Sequence, residues 1–586
     1  MVNPKRFFSH RVACGLLSLT LAVATPMATA AQIVKLPQAA AQEPKPATVE
    51  TPAIPRVGVD ESQALALTLF DVVKLALQNN REMEVERVNV QQAEYDLFAA
   101  RGARDLTVSN ATYYENRTVP VGSILSGGPN GSLTTKTLNF DFNAQQLLPT
   151  GATWQAQLTN ARGESNSQFV SLNPQYNTAL TFQIRQPLLR SFSIDDARRR
   201  IRIASRRLDM TDSQFRQKAI DIVARAQRSY WDLVFALRDV QIRRESVELA
   251  RTQLERNRRM VNEGTLAPID LVSVEVELER RNETLLTATE AVTRAENALK
   301  QLMLGDRTAA EWNKALIPTD APEMREEHYS LSDAVTAAFA NRPELAQNSL
   351  QQEINKVDVR FFENQTKPQV DLIAQYTTTG LSGTVTSTAN PFAGSTLLLV
   401  DRLNQISDTL GLPPVVLPPS GALPGFLVGG YGQSLSNLFS NDFRAVRFGV
   451  SFSFPLKNRT AEGQLGHALA ESRKIDAQRK TIEQAIEVEV RNALQSVETT
   501  RLRVETARAS RVAAQKQLDS EQRRFQAGIS TTYFVLERQN ALSEAQGREL
   551  RATTDYNKSL SELQRVMGTT LTTANVELKP ATTAQK

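Results

Sequence analysis

The sequence is poor in the residues that most often carry chemistry. Cysteine occurs once, at Cys14, and histidine three times in 586 residues. Disulfide bonds, thiol nucleophiles and clustered metal ligands therefore lack candidate residues. No nucleophile–base set or phosphate-binding loop is recognisable in the sequence. We expect no enzymatic activity, no cofactor and no bound metal.

Long apolar runs are also missing, apart from a short one near the N-terminus. Lys5, Arg6 and Arg11 precede an apolar stretch from about Gly15 to Val23, and small residues follow at 28–30. This order predicts a signal peptide over residues 1–30, because the apolar stretch is too short to span a bilayer. Without the three basic residues of the signal, the net charge falls from +5 to +2. A chain so close to neutrality is not expected to bind nucleic acid.

The mature chain contains two copies of one unit of about 260 residues. The segment LFDVVKLALQNN is similar to LSDAVTAAFANR, and RQPLLRSFSIDDARRR around Pro187 is similar to SFPLKNRTAEGQLGHA around Pro455. A third pair, VNEGTLAPIDL from Val261 and FQAGISTTYFV from Phe525, shares an apolar residue three positions before a glycine. The repeat is far longer than that of a solenoid, so it indicates duplication of a whole architectural half.

Each copy is predicted to contain a helix, a β region and a helical hairpin. The first copy spans 61–320, with its β region at 104–188 and its hairpin at 193–305. The second spans 321–569, with its β region at 368–456 and its hairpin at 460–568. Residues 31–60, rich in Pro, Ala, Gln and Glu, are expected to form a flexible lead-in, and 570–586 a flexible tail.

Apolar residues recur every seven positions in both arms of each predicted hairpin. The clearest series are Leu233, Val240, Val247, Leu254 and Val261, then Leu271, Leu278, Leu285, Val292 and Leu299. This step predicts antiparallel coiled-coil pairing. Proline and glycine are absent from Ser193 to Val261, so a continuous helix here would be ~100 Å long. Gly264 and Gly528 would reverse the chain, and Pro268 suits the first turn of a returning helix.

The β regions alternate apolar and polar residues. ALTFQIRQ places Leu180, Phe182 and Ile184 on one face, and RFGVSFSF does the same with alternate residues from Phe448. Such alternation fits a sandwich as well as a membrane barrel. Export without an apolar helix favours the barrel, because only helices and closed barrels cross a bilayer. Two strands per copy are too few to close a tube, so the chain is expected to oligomerise.

In both halves the sequence resembles the TolC-type outer-membrane factors. The resemblance depends on the duplicated LxDxVxxAxxxN opening, the QPLLR and FPLKNR strand-to-helix junctions, the glycine tips, and the LMLG and RVMG endings. It implies a mainly α protein with β strands. Long coiled-coil hairpins would form a periplasmic α-barrel, and four strands per chain a trimeric 12-stranded outer-membrane β-barrel. An additional hairpin near 137–163, with a turn at Pro149–Gly151, departs from the family pattern and would add strands if it joins the barrel.

The resemblance also implies roles for individual residues. Val261, Gly264, Pro268, Asp270, Phe525, Gly528 and Glu537 would lie at the hairpin tips, where an adaptor binds and the tunnel closes. Pro187 and Pro455 would mark the strand-to-helix junctions. Three-fold symmetry would turn Asp270 or Glu537 into a ring of carboxylates, although each could equally be an ordinary solvated acid.

The implied function is a passive exit duct located in the outer membrane with a periplasmic extension. Its partners would be outer-membrane lipid, two further copies of the chain, a periplasmic adaptor (membrane fusion) protein, and an inner-membrane RND or ABC transporter. Tripartite small-molecule efflux and type I polypeptide secretion both remain open. The alternative is a periplasmic coiled-coil scaffold or adaptor without a channel.

Overall fold

The computed structural model describes residues 56–122, 131–324, 328–386, 391–416 and 423–577. The predicted signal peptide, most of the predicted lead-in and the end of the predicted tail lie outside these ranges. Within them the fold is mainly helical, with eight strands among the helices. The helices are α1 (Leu69–Asn79), α2 (Arg81–Arg101), α3 (Asp196–Asn262), α4 (Pro268–Met303), α5 (Leu331–Asn341), α6 (Pro343–Gln365), α7 (Pro391–Thr409), α8 (Tyr431–Ser440), α9 (Arg459–Gln526), α10 (Thr532–Met567) and α11 (Thr570–Thr573). The strands are β1 (Asp60–Leu67), β2 (Thr107–Pro120), β3 (Ser132–Leu147), β4 (Thr153–Ser165), β5 (Leu172–Pro187), β6 (Lys314–Pro318), β7 (Gln369–Val385) and β8 (Arg444–Ser453).

The duplication predicted from the sequence is confirmed in the order of the elements. Two short helices open each half (α1 and α2, then α5 and α6), strands follow, and a long hairpin ends each half (α3–α4, then α9–α10). The opening segment of each half was predicted as one helix and is instead broken. In the first half the break is at Asn80, whose side chain caps α2 by accepting from the Glu82 N–H at 2.8 Å. In the second half Pro343 starts a new helix.

The two hairpins have the predicted coiled-coil core. Leu233, Val240, Val247 and Leu254 of α3 are all buried, as are Val292 and Leu299 of α4. The arms are unequal, because α3 has 67 residues and α4 has 36. The remaining length of α3 packs against α2 and α6, and α9 likewise packs against α6. The helical part therefore combines two groups of four neighbouring helices, one of α4, α3, α10 and α9 and the other of α2, α3, α6 and α9.

Six of the strands form one antiparallel sheet in the order β2-β3-β4-β5-β7-β8. The family pattern implies four strands per chain, and the further strands that the additional hairpin could add are present here, which makes six. The additional hairpin predicted near 137–163 is β3–β4, and it is inserted in the sheet between β2 and β5. β5 pairs with β7, so the sheet joins the two halves of the chain.

A second, smaller sheet, which lies within the first half, was not predicted. β1 and β6 form a small parallel sheet, with Leu65 opposite Leu316. Arg56, inside the predicted flexible lead-in, is buried and forms an ion pair with Glu296 of α4, which also binds Lys300 at 2.7 Å. In the predicted tail, Val576 is buried. Packed residues therefore lie beyond both predicted boundaries, at Arg56 and Val576.

The connection between β7 and β8 includes helical structure among its described residues. It contains α7 and α8. Helix α8 packs on the sheet, where Ser434 Oγ lies 3.0 Å from Thr178 Oγ1 and Thr378 Oγ1 donates to the Leu438 carbonyl at 2.9 Å. Gly380 permits this approach, because a Cβ there would lie 2.0 Å from the Ser434 carbonyl oxygen. None of the helices in the described ranges has both the length and the apolar character needed to cross a bilayer.

Candidate functional site

One face of the six-stranded sheet carries a band of apolar side chains from β3 to β8. The pairing register aligns Trp154 of β4 with Ile184 of β5, and Phe448 of β8 with Ala374 of β7. The same face carries Phe140 and Phe142 on β3, and Phe182 on β5. The phenylalanine side chains on this face are exposed, and Phe448 reaches 75% exposure. Helix α8 covers this face only around Thr178 and Thr378, and the exposed remainder requires a partner or a lipid environment.

The opposite face is polar. It presents Asn143, Gln157, Thr181 and other amides and hydroxyls at the positions between the apolar residues. Near the helical end of this face, Arg185 of β5 binds Asp371 of β7 through Nε at 2.9 Å and Nη2 at 2.5 Å. A sheet with one apolar and one polar face suits a wall between lipid and water.

The two strand-to-helix junctions are held by the end of α6. Pro187 is the last residue of β5, and the buried Asn364 side chain then accepts from the Ser191 N–H at 2.6 Å. Pro455 lies two residues after β8, and Asn458 donates from there to the Gln365 carbonyl at 3.2 Å. Both predicted junction prolines therefore lie at equivalent places between the sheet and a long helix. Asn364, which fixes the first junction, was missed by the sequence analysis.

The two hairpin tips share one backbone motif. Gly264 N–H donates to the Val261 carbonyl at 3.0 Å and Thr265 N–H to the Met260 carbonyl at 2.9 Å. Gly528 and the residue after it make the equivalent bonds, at 3.0 and 2.9 Å. This pair of bonds defines a Schellman ending, which needs a left-handed residue. The φ angles of +71° at Gly264 and +70° at Gly528 meet that need.

The other predicted tip residues lie around these turns. Pro268 is the first residue of α4, and the Asp270 N–H donates to the Ala267 carbonyl at 3.1 Å. Phe525 lies under the guanidinium of Arg256 on α3, 5.5 Å from ring centroid to Cζ. Glu537 is exposed on α10. Phe525, at the tip of the second hairpin, therefore contacts Arg256 of the first hairpin in the same chain.

An ionic cluster near the tips was missed by the sequence analysis. The Arg281 side chain on α4 is 4% exposed. It donates to Glu277 Oε1 at 2.9 Å and to the Ser246 carbonyl of α3 at 2.8 Å. Glu277 also accepts from Asn540 of α10 at 2.6 Å. Burial alone would raise the pKa of Glu277, but hydrogen bonds from Arg280, Asn540 and Arg281 outweigh it and lower that pKa. The cluster therefore connects the two hairpins as a fixed ion pair.

The tips also expose apolar side chains. Ile269 beside the first tip and Ile529 beside the second are each 70% exposed. Tyr533 and Phe534 are exposed next to Ile529. No group of three or more His, Cys, Asp or Glu side chains in the described ranges is arranged to hold a metal ion. Exposed apolar side chains therefore lie beside the turn of each long hairpin.

Comparison with known proteins agrees with this architecture. The sequence profile of the family described as "Outer membrane efflux protein" matches residues 159–305 and 423–569, about half of the chain in two copies. No curated protein sequence matches the chain.

Several solved structures share the fold at low sequence identity. The Campylobacter jejuni CmeC outer membrane channel is 13% identical, with 86% of each chain covered and a TM-score of 0.57. The Vibrio cholerae outer membrane protein VceC is 14% identical, covering 85% of this chain and 96% of its own, with a TM-score of 0.55. The open state of the Neisseria gonorrhoeae MtrE outer membrane channel is 14% identical, covering 92% and 99%, with a TM-score of 0.53.

Proposed function

The chain belongs to the outer membrane efflux protein family, and from that premise we propose that three copies form the passive exit duct of an export system. The protein is an outer-membrane efflux channel with a periplasmic extension. In the proposed assembly the sheets close a barrel in the outer membrane, and the hairpins continue it as a tunnel through the periplasm. An adaptor and an inner-membrane RND or ABC transporter would supply the substrate and the energy.

The two-faced sheet is the observation that carries this proposal. Its apolar face is too large to leave in water, and Phe448, Val450 and Phe452 of the edge strand β8 are all exposed. The last strand of each half leads into a helix of about 100 Å: β5 is followed by α3, and β8 by α9. A periplasmic scaffold without a channel would have no use for such a face. We therefore favour the duct over the scaffold.

Single-channel recording of the detergent-purified protein in planar bilayers tests the proposal. We expect a trimer that conducts ions in discrete steps. A monomeric protein, or a trimer that passes no current, would contradict the duct. Fractionation is a second test, because a scaffold would stay soluble after cell lysis without detergent.

The hairpin tips are proposed to contact the adaptor and to close the tunnel. The exposed apolar residues Ile269 and Ile529 would provide the contact, and Asp270 or Glu537 would ring the mouth in a trimer. Replacing Ile529 by serine should weaken cross-linking to the adaptor while the conductance of the purified trimer stays unchanged. The tips differ chemically, so Asp270→Ala and Glu537→Ala should differ in their effect on closure. Equal effects in conductance traces would count against unequal roles of the tips.

A further inference from the structure

The β3–β4 hairpin is an integral part of the sheet. β3 pairs with β2 over fourteen residue pairs, from Thr107–Gln145 to Pro120–Ser132. β4 pairs with β5 without interruption from Thr153–Arg185 to Gly163–Gln175. β2 and β5 do not pair with each other, because the hairpin separates them. Removing β3 and β4 from the wall would leave β2 without a neighbour in its own chain and β5 with one unpaired edge.

The hairpin also continues both faces of the sheet. Phe142 of β3 lies opposite Leu158 of β4, and Leu158 lies opposite Leu180 of β5, all on the apolar face. Asn143 and Gln157 form the matching pair on the polar face. Trp154 stacks on Phe182 with ring centroids 6.2 Å apart. A hairpin that stood in water above or below the membrane would have no reason to keep an outward row of aromatic residues.

The ends of the hairpin reach the same levels as the other strands. Its turn lies against the start of α3, where a Cβ at Gly151 would be 2.7 Å from Arg198 Nη2 and 2.9 Å from the Ser191 carbonyl oxygen. β3 has 16 residues and β4 has 13. About 9–11 residues are enough for a tilted strand to cross a membrane. The hairpin is therefore long enough, and anchored at the helical end, to span the bilayer with its neighbours.

We propose that each chain contributes six strands and that the trimer closes an 18-stranded wall, with β8 of one copy paired to β2 of the next. This inference rests on the proposed function, which supplies the trimer. Strand directions alternate from β2 to β8 across the sheet, so these two free edges meet antiparallel. With strands 4.8 Å apart and tilted by about 40°, the backbone radius is ~18 Å, against ~12 Å for 12 strands. The cross-section of the duct in the membrane is then about twice as large.

Site-directed labelling of the full-length trimer tests the inference. Outside the predicted signal the chain has no cysteine, so single cysteines can carry a fluorescent thiol label without background. Phe142→Cys and Asn143→Cys probe the two faces of β3. Phe182→Cys and Gln183→Cys provide the reference on β5. The readout is quenching by nitroxide-labelled phospholipid in proteoliposomes.

The 18-stranded wall predicts that the label at 142 is quenched as strongly as the label at 182. The labels at 143 and 183 should resist lipid quenching and respond to a water-soluble quencher. If both β3 labels escape lipid quenching while the label at 182 is quenched, the hairpin lies outside the wall and the inference is wrong. If the label at 182 also escapes, or no trimer forms, the proposed channel itself fails. A cryo-electron microscopy map of the same trimer should show 18 strands in cross-section, and 12 would overturn the inference.

Discussion

Replacing Glu277 by glutamine tests whether the buried ionic cluster holds the two hairpins together. The side chain of Arg281 is 4% exposed and that of Glu277 is 14% exposed. In the variant Arg281 would keep its hydrogen bond to the Ser246 carbonyl at 2.8 Å and lose the carboxylate of Glu277, with which it forms an ion pair. Leaving a buried charge without its partner costs about 3–5 kcal/mol. Because the Ser246 carbonyl still accepts, we expect the lower value, about 3 kcal/mol.

The loss should appear as faster local opening of α4. Since 1.4 kcal/mol corresponds to a factor of ten, about 3 kcal/mol predicts amide exchange roughly 100-fold faster in peptides covering α4 near residue 277. Hydrogen–deuterium exchange of the purified protein measures this directly. Glu279→Gln is the matched control, because Glu279 is exposed on the same helix and its loss should leave the exchange rate unchanged.

A second variant separates the ion pair from simple loss of packing. In Glu277→Gln/Arg281→Met the uncompensated charge is gone, so exchange should return to within about tenfold of the wild type. If Glu277→Gln leaves exchange unchanged, the cluster does not hold α4 in place. The single variant Arg281→Met completes the comparison. If the free energy of opening lost in the double variant equals the sum of the losses in Glu277→Gln and Arg281→Met, the two residues are not coupled and the reasoning is refuted.

Three further predictions follow from backbone geometry and charge. Gly528→Ala should lower the free energy of unfolding by about 1 kcal/mol because of the left-handed φ, whereas Gly463→Ala inside α9 should raise it by about 0.5–1 kcal/mol; equal effects in denaturant titrations would contradict this. Gly380→Ala should release α8 from the sheet and speed its amide exchange, while Gly449→Ala, with open space around its Cβ, should not. Hydrogen bonds from Arg225 and Lys218 of α3 lower the pKa of Glu82 from 4.5 to about 2. The contribution of Glu82 to the stability of the fold is therefore complete above pH 4.5 and disappears as the pH falls towards 2. Because this carboxylate is 44% exposed, the fall in the free energy of unfolding across this pH range should be below about 1 kcal/mol. Unfolding experiments on Glu82→Gln should not show this fall.

The helical hairpins were predictable because a long repeat of one spacing leaves few alternatives. A seven-residue step sustained from Leu233 to Val261 can only be buried by a long partner helix, and the chain reverses at Gly264. The left-handed turn at each tip has no steric neighbour within 4 Å of a Cβ. The need for glycine there is purely local, and local requirements are visible in sequence.

The number of strands in the sheet could not be predicted in the same way. The Pro149–Gly151 turn and its flanking alternation identified a hairpin, and the sheet confirms it. Alternation shows which face each residue takes, but it does not show which strand lies alongside. The partner of β5 on one side is β4, its near neighbour in sequence, and on the other side β7, about two hundred residues away. Only the pairing register of the folded chain distinguishes insertion in the sheet from a free hairpin.

The ionic cluster was invisible for a different reason, which also bears on how it works. Glu277 and Arg281 are four residues apart, as are Glu487 and Arg491, which pair at 2.7 Å on the surface of α9. In an isolated helix the two pairs are equivalent and each contributes only a few tenths of a kcal/mol. What buries the first pair is the approach of α3 and α10, which supply the Ser246 carbonyl and Asn540. The stabilisation by this pair therefore depends on the contact between the hairpins, so any motion that separates α4 from α10 must expose or unpair Arg281. The surface pair has no such dependence, and Glu487→Gln should leave both the stability and the contact between the hairpins unchanged.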